Sequence, residues 1–336
     1  MKRIKIAQIG VNQYSHGPEM FTNLTNLPDI FEVVGYALVE DERERCADKL
    51  HVFEGYPELT LEEILNDETI EAVTVEVDEI HLNKYTQMAI DAGKHIHMEK
   101  PGSQCLASFE ALIDSVKKSG KVFHIGYMYR YNEYLNAAIK DAHDGKFGTI
   151  FSVEAHMSRW DNKKTREWLS TFKGGMMFYL GCHLVDLVLQ IQGIPDEIIP
   201  ANASSGIGGV ESEDVCFAML KYPHGVSIIR TTACEVGGFF RRQLVICGSK
   251  RTLEIKPIEG IENGLYTEQL DRKFTGASGS YGEIEHKRSE PFNRYKKMLS
   301  SFAAMVRGEI ENPYTPEYEL QLFKALLKCC GIETKE

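Results

Sequence analysis

Short β-rich runs alternate with amphipathic stretches along the first third of the chain. Residues 3–9 (RIKIAQI), 32–39 (EVVGYALV), 70–77 (IEAVTVEV), 94–98 (KHIHM) and 121–126 (KVFHIG) carry the apolar and β-branched side chains of buried strands. Between them lie helical patterns. Thr60 and Glu63 frame a capping box at the head of one, and those near 80–92 and 104–119 each end at a glycine, Gly93 and Gly120. Strand and helix alternating in this way predict a parallel, doubly wound sheet, which takes ligands at the carboxyl ends of its strands.

After about residue 126 the rhythm changes. A helix near 131–144, an alternating strand at 149–158 and a helix at 176–192 precede strand-like runs at 214–222, 225–235, 242–247 and 251–256. "YPHG" turns between the first two of these runs, so the second sheet is expected to be open and mostly antiparallel. The stretch 259–288, rich in glycine, serine and charge, reads as long loops or a flap. Helices near 292–307 and 316–330 close the chain, the second with Thr315 as N-cap and Pro316 at its first position. The expectation is an α/β protein of two domains, residues 1–126 and 127–336.

Two stretches interrupt this pattern with chemistry. "GGMMFYLGCHLVDL", residues 174–187, places Tyr179, His183 and Asp186 at steps of four and three in an otherwise apolar helix, so that all three would project from one face. A buried histidine satisfied by a neighbouring aspartate and a catalytic histidine both fit that stripe. The turn after the first strand reads Gly10-Val11-Asn12-Gln13-Tyr14-Ser15-His16-Gly17. It keeps the first glycine of a G-x-G-x-x-G dinucleotide fingerprint, with Asn12, tolerant of positive φ, and the small Ser15 at the other two positions. Glu40 and Asp41 end the second strand, where a carboxylate accepts from an adenosine ribose and repels a 2′-phosphate. That favours NAD over NADP, with Arg43 and Arg45 partly offsetting the charge.

Composition narrows the function. The 336 residues include 43% hydrophobic and 26% charged side chains, with no apolar run of membrane-spanning length. The first residues run directly into a strand without an apolar h-region, so a cytoplasmic protein is expected. Eight scattered cysteines form no C-x-x-C pair and read as reduced core thiols. A net charge of −11 with no local basic run disfavours nucleic acid, leaving a small molecule as the expected partner. "HIH" at 95–97 lacks a third ligand, and no metal site is expected.

Glu99-Lys100-Pro101 in "AIDAGKHIHMEKP" resembles the Glu-Lys-Pro signature of the Gfo/Idh/MocA family of sugar and inositol dehydrogenases, and the helix bearing His183 is similar to that family's second signature. The resemblance covers essentially the whole chain. It implies a Rossmann domain that binds NAD, or NADP, through Gly10, Asn12, Ser15, Glu40, Asp41, Val77, Glu99 and Lys100, and a second domain for substrate and assembly. It implies a homo-oligomer, dimer or tetramer, and hydride transfer to or from a sugar, sugar acid or cyclitol. Lys100 would polarise the substrate oxygen and His183 exchange its proton, with Tyr179 beside it. Tyr127, Arg130, His156, Arg159, Trp160, Trp168 and Asp186 are the expected substrate contacts. Three departures stand out: Tyr179 where the family carries Asp, Val77-Asp78 where it carries Thr-Pro, and the reduced glycine fingerprint. They support a second reading, a non-catalytic sugar or dinucleotide sensor on the same fold; a metal-dependent isomerase or lyase is a third, resting on scattered histidines alone.

Overall fold

In the first part of the chain β1 (Ile4–Ile9), α1 (Gly17–Thr25), β2 (Phe31–Ala37), α2 (Glu42–Arg45), α3 (Leu61–Asn66), β3 (Ala72–Val75), α4 (Leu82–Asp91), β4 (His95–Met98), α5 (Leu106–Ser119) and β5 (Phe123–Ile125) follow one another. The computed structural model describes residues 2–274 and 282–334. All strand pairs here are parallel, in the order β2-β1-β3-β4-β5. The apolar side chains of β1 and all four residues of β3 are buried, as expected of strands covered on both faces. Strand order reverses between β1 and β3, so ligand binding is expected beyond the carboxyl ends of those two strands. Thr60 and Glu63 form the capping box of α3, with Glu63 N donating to Thr60 Oγ1 at 3.1 Å and Thr60 N to Glu63 Oε2 at 2.7 Å.

This unit does not end with β5. It comprises the chain through Tyr127 together with Tyr295–Leu320, which includes most of α9 (Arg294–Val306). Phe302 of α9 lies 5.8 Å from the His97 ring and 5.6 Å from the His124 ring, and Asn312 Nδ2 donates to the Phe123 carbonyl at 2.8 Å. The returning segment therefore supplies part of the sheet's cover, which no local pattern around residue 126 announces.

The second unit comprises Met128–Arg294 and the residues from Gln321. Its elements are α6 (Glu133–His143), β6 (Ile150–His156), α7 (Lys163–Trp168), α8 (Cys182–Gln192), β7 (Glu197–Ala203), β8 (Val215–Tyr222), β9 (Gly225–Thr232), β10 (Gln243–Gly248), β11 (Arg251–Ile255), β12 (Gly260–Ile261), β13 (Leu265–Tyr266), β14 (Glu268–Lys273) and β15 (Ile284–Arg288). The end of α10 (Pro316–Cys329) joins them. Eight strands form one sheet, β15-β14-β11-β10-β6-β9-β8-β7, antiparallel except at β6–β9. Burial alternates along the central strands. Val153, Ala155, Cys216, Ala218, Leu220, Ile229, Leu244 and Ile246 are buried on the face that meets α8. On the other face Ile199, Met219, Ile228, Glu154 and Val245 form one cross-strand row, and Phe217, Arg230, His156 and Gln243 another.

Three expectations are corrected. The stretch 259–288 contains strands β12 to β15 where loops or a flap were expected, because the polar alternation of β14 and β15 hides pairing at a sheet edge; residues 275–281 of that stretch lie outside the described residues. Edge strand β7, mostly exposed and containing Pro200, was not foreseen. The single α-helix expected at 176–192 is a π-helical turn, Met177–Gly181, running into α8. Hydrogen bonds of i→i+5 type shift the phase there, so Tyr179 does not share a regular α-helical row with His183 and Asp186. Among the described residues no helix is long and apolar enough to cross a membrane.

Candidate active site

The turn from β1 to α1 takes the tight form its sequence only partly advertises. Gly10 has φ 85° and Asn12 φ 47°, both in the left-handed region. A Cβ on Gly10 would lie 2.5 Å from Val77 Cγ1, and one on Gly17 2.2 Å from the Val11 carbonyl oxygen. Asn12 Oδ1 accepts from Tyr14 N at 2.8 Å and Ser15 N at 3.3 Å, while Asn12 Nδ2 donates to the Val77 carbonyl at 3.0 Å. Gln8 Nε2 donates to the carbonyls of Gly10 and Gly17. A turn whose glycines admit no side chain, leading into a helix N-terminus, fits the pyrophosphate of a dinucleotide. The residues present are therefore compatible with an NAD(P) cofactor.

Three residues beyond β2, Glu40 has φ 52°, and its Oε1 accepts from Lys84 Nζ and Tyr85 Oη, both at 2.8 Å. These two donors hold the Glu40 carboxyl below its ordinary range. Asp41 is exposed and 3.2 Å from Arg45 Nε. Arg45 also bonds Asp78, and Arg43 bonds Glu58, so neither arginine is unengaged. Glu42, which sequence reasoning passed over inside "EDERER", is buried and accepts from three backbone N–H groups: Val11 at 3.1 Å, Asn12 at 3.2 Å and Val39 at 3.0 Å.

Lys100 sits where β4 ends and is buried, with Nζ 3.2 Å from Glu99 Oε1. Ser15 Oγ donates to the same carboxylate oxygen at 2.9 Å, which ties the turn to the Glu-Lys pair. Two further buried carboxyls belong to this neighbourhood, and sequence reasoning missed both. Glu79 Oε2 accepts from Asn12 Nδ2 at 3.3 Å, and burial pushes its carboxyl up to about 7, against the opposing field of Lys100. Glu76 lies 3.9 Å from His97 Nε2, and burial followed by the Glu99 charge raises its carboxyl well above the usual range. Their only sequence signal is polarity at the end of a β-rich run. His97 Nδ1 is 2.6 Å from His124 Nδ1, and burial lowers the His97 imidazole to about 3, so "HIH" supplies a packed neutral histidine. Among the described residues no group of three metal-ligating side chains converges. Tyr127 closes this unit's strand sequence and is buried.

In the second unit His183 is buried near the start of α8, its ring 5.5 Å from that of Tyr129. Tyr179, in the π turn, lies edge-on to Trp168 at 5.0 Å, with the Arg159 guanidinium 5.0 Å from its ring centroid. Arg159 Nε donates to Asp161 at 2.6 Å. Asp186 accepts from Arg130 Nε at 3.0 Å, Arg130 Nη2 at 2.9 Å and Gln190 Nε2 at 2.9 Å. The structure thus gathers Tyr179, Arg159 and Trp168 into one cluster and pairs Arg130 with Asp186. It places His156 apart from them, on the open face of the sheet opposite Arg230, where burial and the charges of Arg230 and Arg241 lower its imidazole to about 4. Trp160 is 63% exposed and forms a backbone bridge with Cys234.

Residues 4–127 match an oxidoreductase family with an NAD-binding Rossmann fold, and residues 136–254 match the Gfo/Idh/MocA C-terminal domain. An uncharacterised oxidoreductase of Schizosaccharomyces pombe is 26% identical over 211 residues, 60% of this chain and 56% of that protein. The NADP+-dependent scyllo-inositol 2-dehydrogenase of Bacillus subtilis is 26% identical over 164 residues, 48% of this chain and 46% of that enzyme. The chain spans about half the length of these curated relatives. A 3-ketoreductase from Actinomadura kijaniata, solved with NADP, superimposes with a TM-score of 0.79 at 15% identity, covering 97% of this chain and 96% of that one.

Proposed function

Because the chain belongs to the Gfo/Idh/MocA oxidoreductase family, we propose that it transfers hydride between a nicotinamide cofactor and a hydroxyl or carbonyl group of a sugar, sugar acid or cyclitol. The observation that carries this reading is Lys100, a lysine buried against Glu99 at the carboxyl end of β4, in the unit that matches the NAD-binding family. When bound, the cofactor supplies the hydride acceptor or donor. Gly10, Asn12, Ser15, Glu40, Asp41, Val77, Glu99 and Lys100 are the residues proposed to hold it, with NAD preferred over NADP because carboxylates follow β2.

Each unit contributes its own chemistry. Glu99 fixes the Lys100 ammonium, which polarises the oxygen on the reacting carbon and favours the alkoxide character that develops there. His183 Nε2 or Nδ1 takes the hydroxyl proton during oxidation and returns it during reduction. Tyr179 lends a neutral phenol beside that helix, with Arg159 and Trp168 around it. Arg159 and Trp168 are proposed as substrate contacts, since a guanidinium and a flat indole suit hydroxyls and sugar faces. Tyr127, His156 and Trp160 stay as proposals of the same kind, while Arg130 and Asp186, expected as substrate contacts, engage each other in a buried ion pair and are proposed instead to hold the His183 helix in place. The apolar residues on the open sheet face support a homo-oligomer.

The test is fluorescence titration with NADH and NADPH, followed by turnover on a panel of inositols, aldoses, keto-sugars and sugar acids. Saturable binding with turnover supports the proposal. Binding without turnover on any of them overturns it in favour of the sensor reading.

A further inference from the structure

We infer that Glu42 and Lys49, one on the N–H side and one on the C=O side, are positioning residues that shape the β1–α1 turn to receive the pyrophosphate of a dinucleotide. The inference rests on the cofactor reading proposed above. Its basis is a single residue gripped at both ends: the Asn12 N–H donates to Glu42 Oε1 at 3.2 Å, and the Asn12 carbonyl accepts from Lys49 Nζ at 3.2 Å. Glu42 extends the grip to Val11 N and, through its other oxygen, to Val39 N. Lys49 extends it to the Gln13 carbonyl. Asn12 is non-glycine with positive φ, a conformation that side-chain-bearing residues adopt at some cost. The opposite charges meeting its two peptide groups offset that cost where a fingerprint glycine would have avoided it.

Both grips come from the segment after β2, where α2 is followed by a 3-10 turn, Ala47–Phe53. That segment is anchored beneath the turn by Cys46 and Phe53, which pack with Val11 and Phe21 in one core cluster. Glu42 is 1% exposed, so its carboxylate meets backbone N–H groups in place of solvent. Burial raises its carboxyl above the ordinary value, opposed by the three N–H donors. With Val11, Asn12, Tyr14 and Ser15 N–H groups all engaged within the chain, the turn is set before any cofactor arrives. His16 makes no side-chain cap at the head of α1, and Pro18 in the first turn of that helix has no N–H to donate.

A role in holding the pyrophosphate turn and a role in reading the ribose make different predictions. NADH, NADPH and ADP-ribose share the pyrophosphate, so a damaged turn should weaken all three alike. We would titrate NADH and NADPH by fluorescence, and ADP-ribose by displacement of NADH, against the wild-type protein, Glu42→Gln and Lys49→Met. In Glu42→Gln the amide nitrogen faces an N–H it cannot accept from, and affinity for all three should fall tenfold or more by a common factor. Lys49→Met should lower all three several-fold. Unchanged affinities, or a change only in the NADH to NADPH ratio, would overturn the inference. No binding by the wild-type protein would remove the cofactor reading itself and this one with it. If Glu42→Gln does not fold, the half-exposed Lys49→Met carries the same comparison. Amide hydrogen exchange in the cofactor-free protein is the second measurement: Val11, Asn12 and Val39 should be protected, and fast exchange at all three would count against the grip.

Discussion

The two oxygens of Asp186 meet Nη2 and Nε of Arg130 at 2.9 and 3.0 Å, so a buried guanidinium occupies the carboxylate side-on, and both side chains are 1% exposed. Removing one partner leaves the other charge buried without this ion pair. Asp186→Ala should therefore destabilise the fold by about 3–5 kcal/mol, measured by urea unfolding, whereas the paired change Arg130→Met with Asp186→Leu should cost much less. A fully stable Asp186→Ala protein would show that Arg130 has another acceptor.

His183→Ala should lower kcat about 100-fold or more while cofactor affinity is preserved, since general acid–base catalysis commonly contributes that much. Tyr179→Phe should cost about tenfold or less, because a neutral phenol contributes about 1 kcal/mol. Steady-state rates on the best substrate of the panel, with circular dichroism to verify folding, decide the matter. Wild-type turnover in a folded His183→Ala protein would return this residue to the core.

Cofactor choice should turn on Glu40 and the lysine it restrains. In the wild-type protein NADH should bind at least about tenfold more tightly than NADPH, equivalent to about 1.4 kcal/mol. Glu40→Ala removes the carboxylate and releases Lys84 from its 2.8 Å hydrogen bond. The preference should then shrink or reverse, because a lysine near a 2′-phosphate attracts it. Equal affinities in the wild-type protein would overturn the assignment.

Glu79 gives the fold a pH dependence of known sign. Its carboxyl is raised to about 7 in the folded chain, chiefly by burial, from an ordinary value of 4.5. The folded state thus holds the proton more tightly than the unfolded state. Its contribution is fully present below pH 4.5 and is lost as pH rises through 7, by an amount on the order of 3 kcal/mol. Urea midpoints measured between pH 5 and 8 should fall less steeply in Glu79→Gln than in the wild-type protein. Parallel curves would place the titration elsewhere.

Phe217 and Met219, 38% and 41% exposed and two positions apart on the open face of β8, are the natural centre of a subunit contact. Light scattering should give a multiple of the chain mass, and Phe217→Glu with Met219→Glu should reduce it to that of one chain. A wild-type monomer at micromolar concentration would refute the proposed assembly.

Much of the scaffold was legible because periodicity reports burial. The five parallel strands, the capping box at Thr60 and the glycine stops at Gly93 and Gly120 follow from local pattern, and the structure has them. Asn12 was identified as a residue able to take positive φ, and it does. What escaped was non-local. Glu42 looks like one more acid in a charged run until the turn 30 residues earlier comes to rest on it. Strands β14 and β15 carry one apolar residue each, Leu270 and Ile284, so only their pairing identifies them. The π turn depends on how Met177–Gly181 packs, since its composition suits an α-helix equally well.

The return of Tyr295–Leu320 to the first unit has a bearing on how the chain is made. A ribosome releases the five parallel strands long before Phe302 exists to lie against His97 and His124. At bacterial or eukaryotic elongation rates that interval is roughly 10–40 s, far longer than helix formation or chain collapse requires. During it, the nascent sheet stands with two buried-type histidines and their apolar surround open to water. Chaperone capture should therefore fall in the window between the emergence of β5 and that of α9, and should vanish once α9 is clear of the ribosome and free to dock.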